Sequence, residues 1–241
     1  MRYAILGDIH GNFQALEAVV RVARSIGADR FLQVGDLVGY GADPGPCLQL
    51  VRELQITAVA GNHDWAVIGK LDTSFFNAYA RAAVEWTRTV LNEEDRRYLE
   101  RLPLTRLVDD DVEIAHATLY QPELFDYIQT YGDAHRSLGG MRRPVCFIGH
   151  SHIPVAFLQT DTLTHTDATA FGLAPRGRAL INVGSVGQPR DENPFAAFAT
   201  YDTPEQRYAL HRVPYDVSAA AARIRRAGLP PALGERLLLG R

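Results

Sequence analysis

Residues able to hold a metal ion recur at one kind of place in this sequence of 241 residues. Five apolar runs each stop at such a residue: Ala-Ile-Leu-Gly at Asp8 and His10, Phe-Leu-Gln-Val-Gly at Asp36, Ala-Val-Ala-Gly at Asn62, His63 and Asp64, Val-Glu-Ile-Ala at His116, and Cys-Phe-Ile-Gly at His150 and His152. Taken singly, each has an ordinary explanation. Asp8 and Asp36 suit turns, and an isolated His116 suits a hydrogen-bonded core position. The recurrence is what asks for chemistry. In open α/β sheets the carboxyl ends of neighbouring strands face one crevice, so five strand ends would deliver carboxylates, an amide and imidazoles to a single place. Of the eight histidines, only His135, His165 and His211 fall outside the pattern. Asp-x-His and His-x-His also set both side chains on one side of a short extended segment, which suits chelation. Mixed imidazole and carboxylate donors favour manganese, iron, zinc, cobalt or nickel over calcium.

Those strand ends need a scaffold. The first half alternates strand-like runs (Tyr3–Leu6, Phe31–Val34, Ile56–Ala60) with helical stretches at Phe13–Ser25 and Pro44–Leu54, the pattern of an α/β fold. Ser74–Leu91 reads as a long helix whose Phe75, Phe76, Tyr79, Ala83, Trp86 and Val90 form a core-facing stripe. Leu107–Val108 and Val112–Ala115 flank Asp109–Asp111 as a β-hairpin, without the further ligands a calcium loop requires. Short strands follow at Val145–Ile148, Val155–Gln159, Ala179–Val183, Phe195–Tyr201 and Gln206–Val213, then helices at Val217–Gly228 and Pro231–Leu239. No repeat or long linker divides the chain, and the expectation is one domain over residues 1–241, built on two sheets with helices outside.

Composition narrows the function. With 46% hydrophobic residues the chain can build a core. Cys47 and Cys146 lie far apart and form neither a disulfide framework nor a zinc-finger pair. A net charge of −3 with no basic block disfavours long nucleic acid as a partner. No apolar run reaches the ~18 residues of a membrane span. The sequence begins directly on a strand-like run, without a charged and apolar leader, so a cytoplasmic protein is expected. Gly69-Lys70 is followed by Leu71, which excludes a Walker-type phosphate loop, and Gly184-Ser185-x-Gly187 lacks the leading glycine of a nucleophile elbow.

Together the blocks Asp8-Ile9-His10, Gly35-Asp36, Gly61-Asn62-His63-Asp64, His116 and Gly149-His150-Ser151-His152 resemble the calcineurin-like metallophosphoesterase superfamily. The segment from Asn182 to Arg190, with the later Arg212–Asp216, is similar to a small, uncapped bacterial and archaeal branch. The resemblance implies a four-layer α/β/β/α sandwich. It also implies two divalent ions, with manganese favoured. Carried over by position, Asp8, His10, Asp36 and His152 would hold the first ion and Asn62, His116 and His150 the second, with Asp36 bridging. Paired ions lower the pKa of a shared water, and the implied reaction is hydroxide attack on phosphorus without a phosphoenzyme. His63 would serve the leaving oxygen, oriented by Asp64.

Two departures bear on the substrate. The phosphoprotein phosphatases of the superfamily carry Asp-Arg where this chain has Gly39-Tyr40, and tend to carry Glu where it has Asp64. A phosphoserine phosphatase is therefore disfavoured, and the resemblance to small bacterial members implies a small phosphate mono- or diester as substrate, a nucleotide or a dinucleoside polyphosphate. Tyr40, Trp65 and Tyr120, each just beyond a ligand block, are candidates to stack on a base, and Arg190 is a candidate for a second phosphate. Asn62 would also touch substrate. A nuclease and a non-catalytic scaffold are the alternatives, and a homo-oligomer is compatible with the sequence. The complete ligand set with His63 favours the hydrolase.

Overall fold

The computed structural model describes all 241 residues, and its first strand shows how the layers arise. In β1 (Arg2–Leu6), Tyr3 and Ile5 enter one apolar cluster while Ala4 and Leu6 enter another on the opposite face. A strand apolar on both faces has to be covered on both. On one side lie the helices α1 (Phe13–Ser25) and α2 (Pro44–Glu53), which carry the crossovers to the parallel strands β2 (Arg30–Gln33) and β3 (Thr57–Ala58). On the other side lies a second sheet.

The chain continues through α3 (Asn62–Val67), α4 (Ala78–Val90), α5 (Glu93–Glu100), β4 (Thr105–Leu107), β5 (Val112–Ala115), α6 (Tyr131–Gly140) and β6 (Val145–Ile148). It then forms β7 (Val155–Gln159), β8 (Leu163–Thr166), β9 (Ala170–Gly172), β10 (Arg178–Asn182), β11 (Ala196–Asp202), β12 (Arg207–Val213), α7 (Val217–Arg226) and α8 (Pro231–Leu239). Two six-stranded sheets result, ordered β3-β2-β1-β11-β12-β9 and β4-β5-β6-β10-β7-β8. Ile5 and Leu32 of the first meet Ile114, Phe147 and Ile181 of the second in the central core. Leu16 and Val19 of α1 cover the outer face of the first sheet, and Ala134 and Leu138 of α6 cover that of the second. The architecture is the expected four-layer α/β/β/α sandwich of two mixed sheets flanked by helices. No helix is long and apolar enough to cross a membrane.

Several expectations hold locally. The Asp109–Asp111 turn forms, with the Asp109 carboxylate accepting from the backbone N–H groups of Asp111 (2.9 Å) and Val112 (2.8 Å). Cys47 and Cys146 are buried and free.

The stripe assigned to Ser74–Leu91 is corrected. The helix starts only at Ala78, because the Asn77 side chain caps it by accepting from Ala80 N at 3.0 Å. Ahead of it, Ser74 bonds back to Asp72 through both its N–H and its hydroxyl, which makes a turn of these residues. The buried helix face is Ala80, Ala83, Val84 and Thr87. Tyr79 and Val90 are exposed, and Phe75 is 95% exposed. Helices α5 and α6 and the edge strands β8 and β9 escape the sequence reading: α5 and β8 are mostly polar, α5 burying only Asp95 and Leu99, α6 carries three glycines and β9 is three residues long.

Candidate active site

Parallel pairing brings the carboxyl ends of β1, β2 and β3 together in one sheet and those of β5, β6 and β10 in the other. Every ligand block begins within four residues of one of these ends. The chain turns there in the left-handed region: Asp8, His10, Asp36, His150 and His152 have φ of 41°, 48°, 56°, 70° and 63°. Such conformations are costly for residues with a Cβ and cluster at functional sites. They are held by cross-links between blocks: His10 N–H donates to the Asp36 carbonyl (2.9 Å), Gly149 N–H to the His116 carbonyl (2.9 Å), and His150 N–H to Asp8 Oδ1 (2.9 Å).

This backbone revises the simple two-residue alternation. Asp8 and His10 do converge, joined by His152, but His150 and His152 part, and His150 joins Asp36 and His116. Asp36 stands between the two groups. Its Oδ2 lies 3.5 Å from His10 Nε2 and 3.4 Å from His116 Nε2. On the first side, His152 Nε2 lies 3.4 Å from Asp8 Oδ1 and 3.1 Å from His10 Nε2. On the second, His116 Nε2 lies 3.0 Å from Asn62 Oδ1 and 3.1 Å from His150 Nδ1.

The donor set fits metal ions. His10, His116 and His152 each commit Nδ1–H to a backbone carbonyl, of Val38 (3.0 Å), Val34 (2.9 Å) and Gln188 (2.6 Å) respectively. Their Nε2 atoms therefore face the centre, as bare lone pairs in His10 and His152. In the His10–His152 pair, two such lone pairs confront each other at 3.1 Å, an arrangement that a cation between them would satisfy. Burial holds His10, His150 and His152 well below the ordinary imidazole pKa, the neutral form that binds metal. Burial opposes the charge of His116 too, but the neighbouring Asp36 carboxylate outweighs it and raises the group to about 9. Asp36 itself is pressed upward by burial, yet His116 and the other imidazoles hold it well below the usual carboxylate range. Burial, reinforced by the Asp36 charge, pushes Asp8 up to about 8 and outweighs the lowering effect of His116, the His150 N–H and Arg190.

His63 occupies the first turn of α3, its N–H bonded to Asp36 Oδ1 at 2.8 Å. The ring packs 4.8 Å from His10, 4.5 Å from Tyr40 and 5.0 Å from Phe76, and its Nδ1 is buried without a partner. Burial lowers its pKa to about 4. The expected orienting role of Asp64 is corrected. Its two oxygens accept from Val38 N–H (3.2 Å) and Gly61 N–H (2.9 Å), so it ties the second ligand loop to the start of α3 and does not hold the imidazole.

A pocket of about 350 Å³ opens over this centre. Asp36, Asn62, His63, His150 and His152 reach it from below. Tyr40 and Arg190 line one side, with the guanidinium 5.6 Å from the centre of the Tyr40 ring. Arg190 donates to Gln188 Oε1 at 3.0 Å, while its Nε is buried and unpartnered. The remaining wall is mostly apolar, with Phe75, Phe76, Leu124, Phe125 and Tyr127 joined by Leu71 and Ala80 and by the polar Asp72 and Asn77. Two candidates lie elsewhere. Trp65 stands behind Phe125, edge to face at 5.4 Å, and Tyr120 lines a separate cleft with Asp126 and Arg136.

Other site residues were not legible in advance. Tyr127 stacks on His150 with ring centres 4.0 Å apart, and only the aromatic density between His116 and His150 hints at it. Asn182, the last residue of β10, and Ser185 and Gln188 beyond it brace the candidate ligands: Ser185 Oγ donates to the Asp8 carbonyl at 2.8 Å, and Asn182 donates to the Gly149 carbonyl.

The fold and donor set describe a metal-dependent phosphoesterase, and comparison with known proteins agrees. Residues 1–206 match the calcineurin-like phosphoesterase superfamily domain, and the chain belongs to that superfamily. Enzymes of the family use a dinuclear divalent metal centre, for which this chain supplies the His/Asp clusters. The uncharacterized protein MJ0912 of Methanocaldococcus jannaschii is 36% identical over 99% of this chain and 98% of its own length. The crystal structure of a metallophosphoesterase from Sphaerobacter thermophilus is 38% identical, covers 100% of this chain and 99% of that one, and superposes with a TM-score of 0.87. The hypothetical protein PH1004 from Pyrococcus horikoshii OT3 shares the fold at 20% identity, with a TM-score of 0.79 over 100% of this chain and 98% of its own.

Proposed function

We propose that this chain, acting as one catalytic domain, hydrolyses small phosphate esters, with nucleotides and dinucleoside polyphosphates as its substrate class. The observation that carries this reading is Asp36 Oδ2, set 3.4 Å and 3.5 Å from the facing nitrogens of His116 and His10. Asp8, His10, Asp36 and His152 would hold one ion, and Asn62, His116 and His150 the other, with Asp36 shared. Bound there, two divalent ions, manganese foremost, supply charge neutralisation at the phosphoryl oxygens and a water of lowered pKa.

The chain's own residues position the ester. Arg190 directs a charged donor into the pocket, and charge-assisted bonds to phosphate are roughly twice as strong as neutral ones. Tyr40 stacks under that guanidinium and steadies it. His63, neutral and wedged between His10 and Phe76, presents an imidazole N–H to the leaving oxygen. A pocket of about 350 Å³ suits a small molecule better than a polymer, and the free, buried Cys47 and Cys146 suit a reducing cytoplasm.

The test is hydrolysis by protein stripped with a chelator and reloaded with manganese. The substrates are p-nitrophenyl phosphate, bis-p-nitrophenyl phosphate, nucleoside monophosphates, diadenosine tetraphosphate and single-stranded DNA. Metal-dependent turnover of the nucleotides supports the reading. Preference for DNA transfers it to a nuclease, and inactivity on every substrate with metal bound supports a scaffold.

A further inference from the structure

The most exposed large apolar side chain of the molecule, Phe75, is 95% accessible and lies on the rim of the active-site pocket. A phenyl ring left in water forgoes the free energy of burial, and here the exposure is built in. Ser74 is anchored to Asp72 through its N–H (3.0 Å) and hydroxyl (2.8 Å). Arg81 donates to the carbonyls of Ser74 (3.3 Å) and Phe76 (3.2 Å), on either side of Phe75. The turn thus fixes the ring outward.

Leu124, 57% exposed, lines the same pocket from a second loop. It ends a single 3-10 turn, Pro122–Leu124, framed by Gln121 and Phe125 at φ of 49° and 54°. Left-handed backbone on both flanks is strain of the kind kept at ligand sites. Between this rim and the metal-binding floor stands His63, its ring 5.0 Å from Phe76. The apolar wall is therefore continuous with the side of the pocket where His63 meets the leaving oxygen.

We infer that Phe75, Phe76 and Leu124 form the leaving-group subsite, and that it takes a planar ring carried by the departing alcohol through its sugar, the base of a nucleoside. This rests on the phosphoesterase reading above and adds which part of the ester is recognised, and by what. Tyr40, Trp65 and Tyr120 then have no part in holding the base: Tyr40 is taken up by Arg190, and the other two lie outside the pocket.

Adenosine 5′-monophosphate and ribose 5-phosphate share the same leaving oxygen and differ only in the base, so comparing them removes intrinsic reactivity. With manganese-loaded protein, Phe75→Ala is expected to lower kcat/KM for adenosine 5′-monophosphate about ten-fold more than for ribose 5-phosphate. Leu124→Ala is expected to shift the same ratio less. Calorimetric binding of adenosine, which needs no turnover, is expected to weaken by a similar factor in Phe75→Ala. Both residues are exposed, so the variants should keep the parent melting temperature. Equal losses on the two esters, with unchanged adenosine affinity, overturn the subsite. Absence of turnover in the parent protein counts against the phosphoesterase reading alone, since adenosine binding still tests the wall.

Discussion

His63 turns its unpartnered Nδ1 toward Gly39, so close that a methyl group added to that glycine would collide with the ring. Gly39 also has φ of +94°, outside the range comfortable for other residues. Glycine at this position leaves room for the imidazole and, in the same stroke, leaves Nδ1 without a side-chain acceptor. His63 is located by packing against His10, Tyr40 and Phe76, and not by the Asp64 carboxylate that the sequence led us to expect.

Gly39→Ala should consequently displace the ring as well as strain the backbone. The expected result is a stability loss of about 1–3 kcal/mol with turnover falling by at least about ten-fold. Parent-like melting and parent-like rates would show that the loop yields without moving His63.

His63 lies outside the group of Asp8, His10 and His152 and that of Asp36, His116 and His150, although it also comes within donor reach of His10 and Asp36. Replacing it with alanine should lower kcat by roughly a hundred-fold or more, the usual cost of removing one hydrogen-bond donor aimed at developing charge. Metal content, measured by elemental analysis, should stay at the parent level. Metal loss in this variant would make His63 a ligand.

Proton release provides a separate check on the electrostatics. Asp8 at about 8 and His116 at about 9 both carry protons at neutral pH, and each must lose one to serve as a ligand. Loading metal at pH 7 should then release about two protons per chain, and apparent affinity should rise as the pH is raised from 6 towards 9. His10, His150 and His152, already neutral, contribute nothing to that release. Calorimetry in buffers of different ionisation enthalpy measures it. A proton count of zero would contradict the charge states assigned to Asp8 and His116.

Arg190 is the cation nearest the pocket, and its loss should be felt as binding. Arg190→Ala is expected to raise KM for phosphate esters by about ten-fold or more, from the energy of a charged hydrogen bond, with a smaller effect on kcat. Unchanged KM would place the guanidinium outside the substrate's reach.

The sequence made the ligand set legible because each donor follows a strand, and strands announce themselves by apolar runs. Asp8, Asp36 and His116 could be assigned to strand ends without knowing which strands were neighbours. What pairs His150 with His116 and His152 with His10 is left-handed backbone beyond the strand ends, and a period-two pattern carries no trace of it. The alternation of elements pointed to two sheets with helices outside, and the four layers themselves came from the family resemblance. The pocket wall was legible from neither. Phe75 fell in register with a helix that Asn77 in fact starts three residues later, and Tyr127 lies in a loop with no periodicity to read. Asp64 looked like the natural partner of its neighbour His63, but adjacent residues at the start of a helix point in different directions, and Asp64 bonds Gly61 and Val38.

The shared position of Asp36 between two groups of donors is the central claim, and metal stoichiometry in Asp36→Asn tests it most directly. Manganese titration of the parent chain, followed by electron paramagnetic resonance, should end at about two ions per chain with a spin-coupled signal. In Asp36→Asn both sites should weaken, the coupled signal should vanish, and metal-dependent hydrolysis should stop. A variant that still binds two coupled ions and turns over at the parent rate would contradict the bridging role of Asp36.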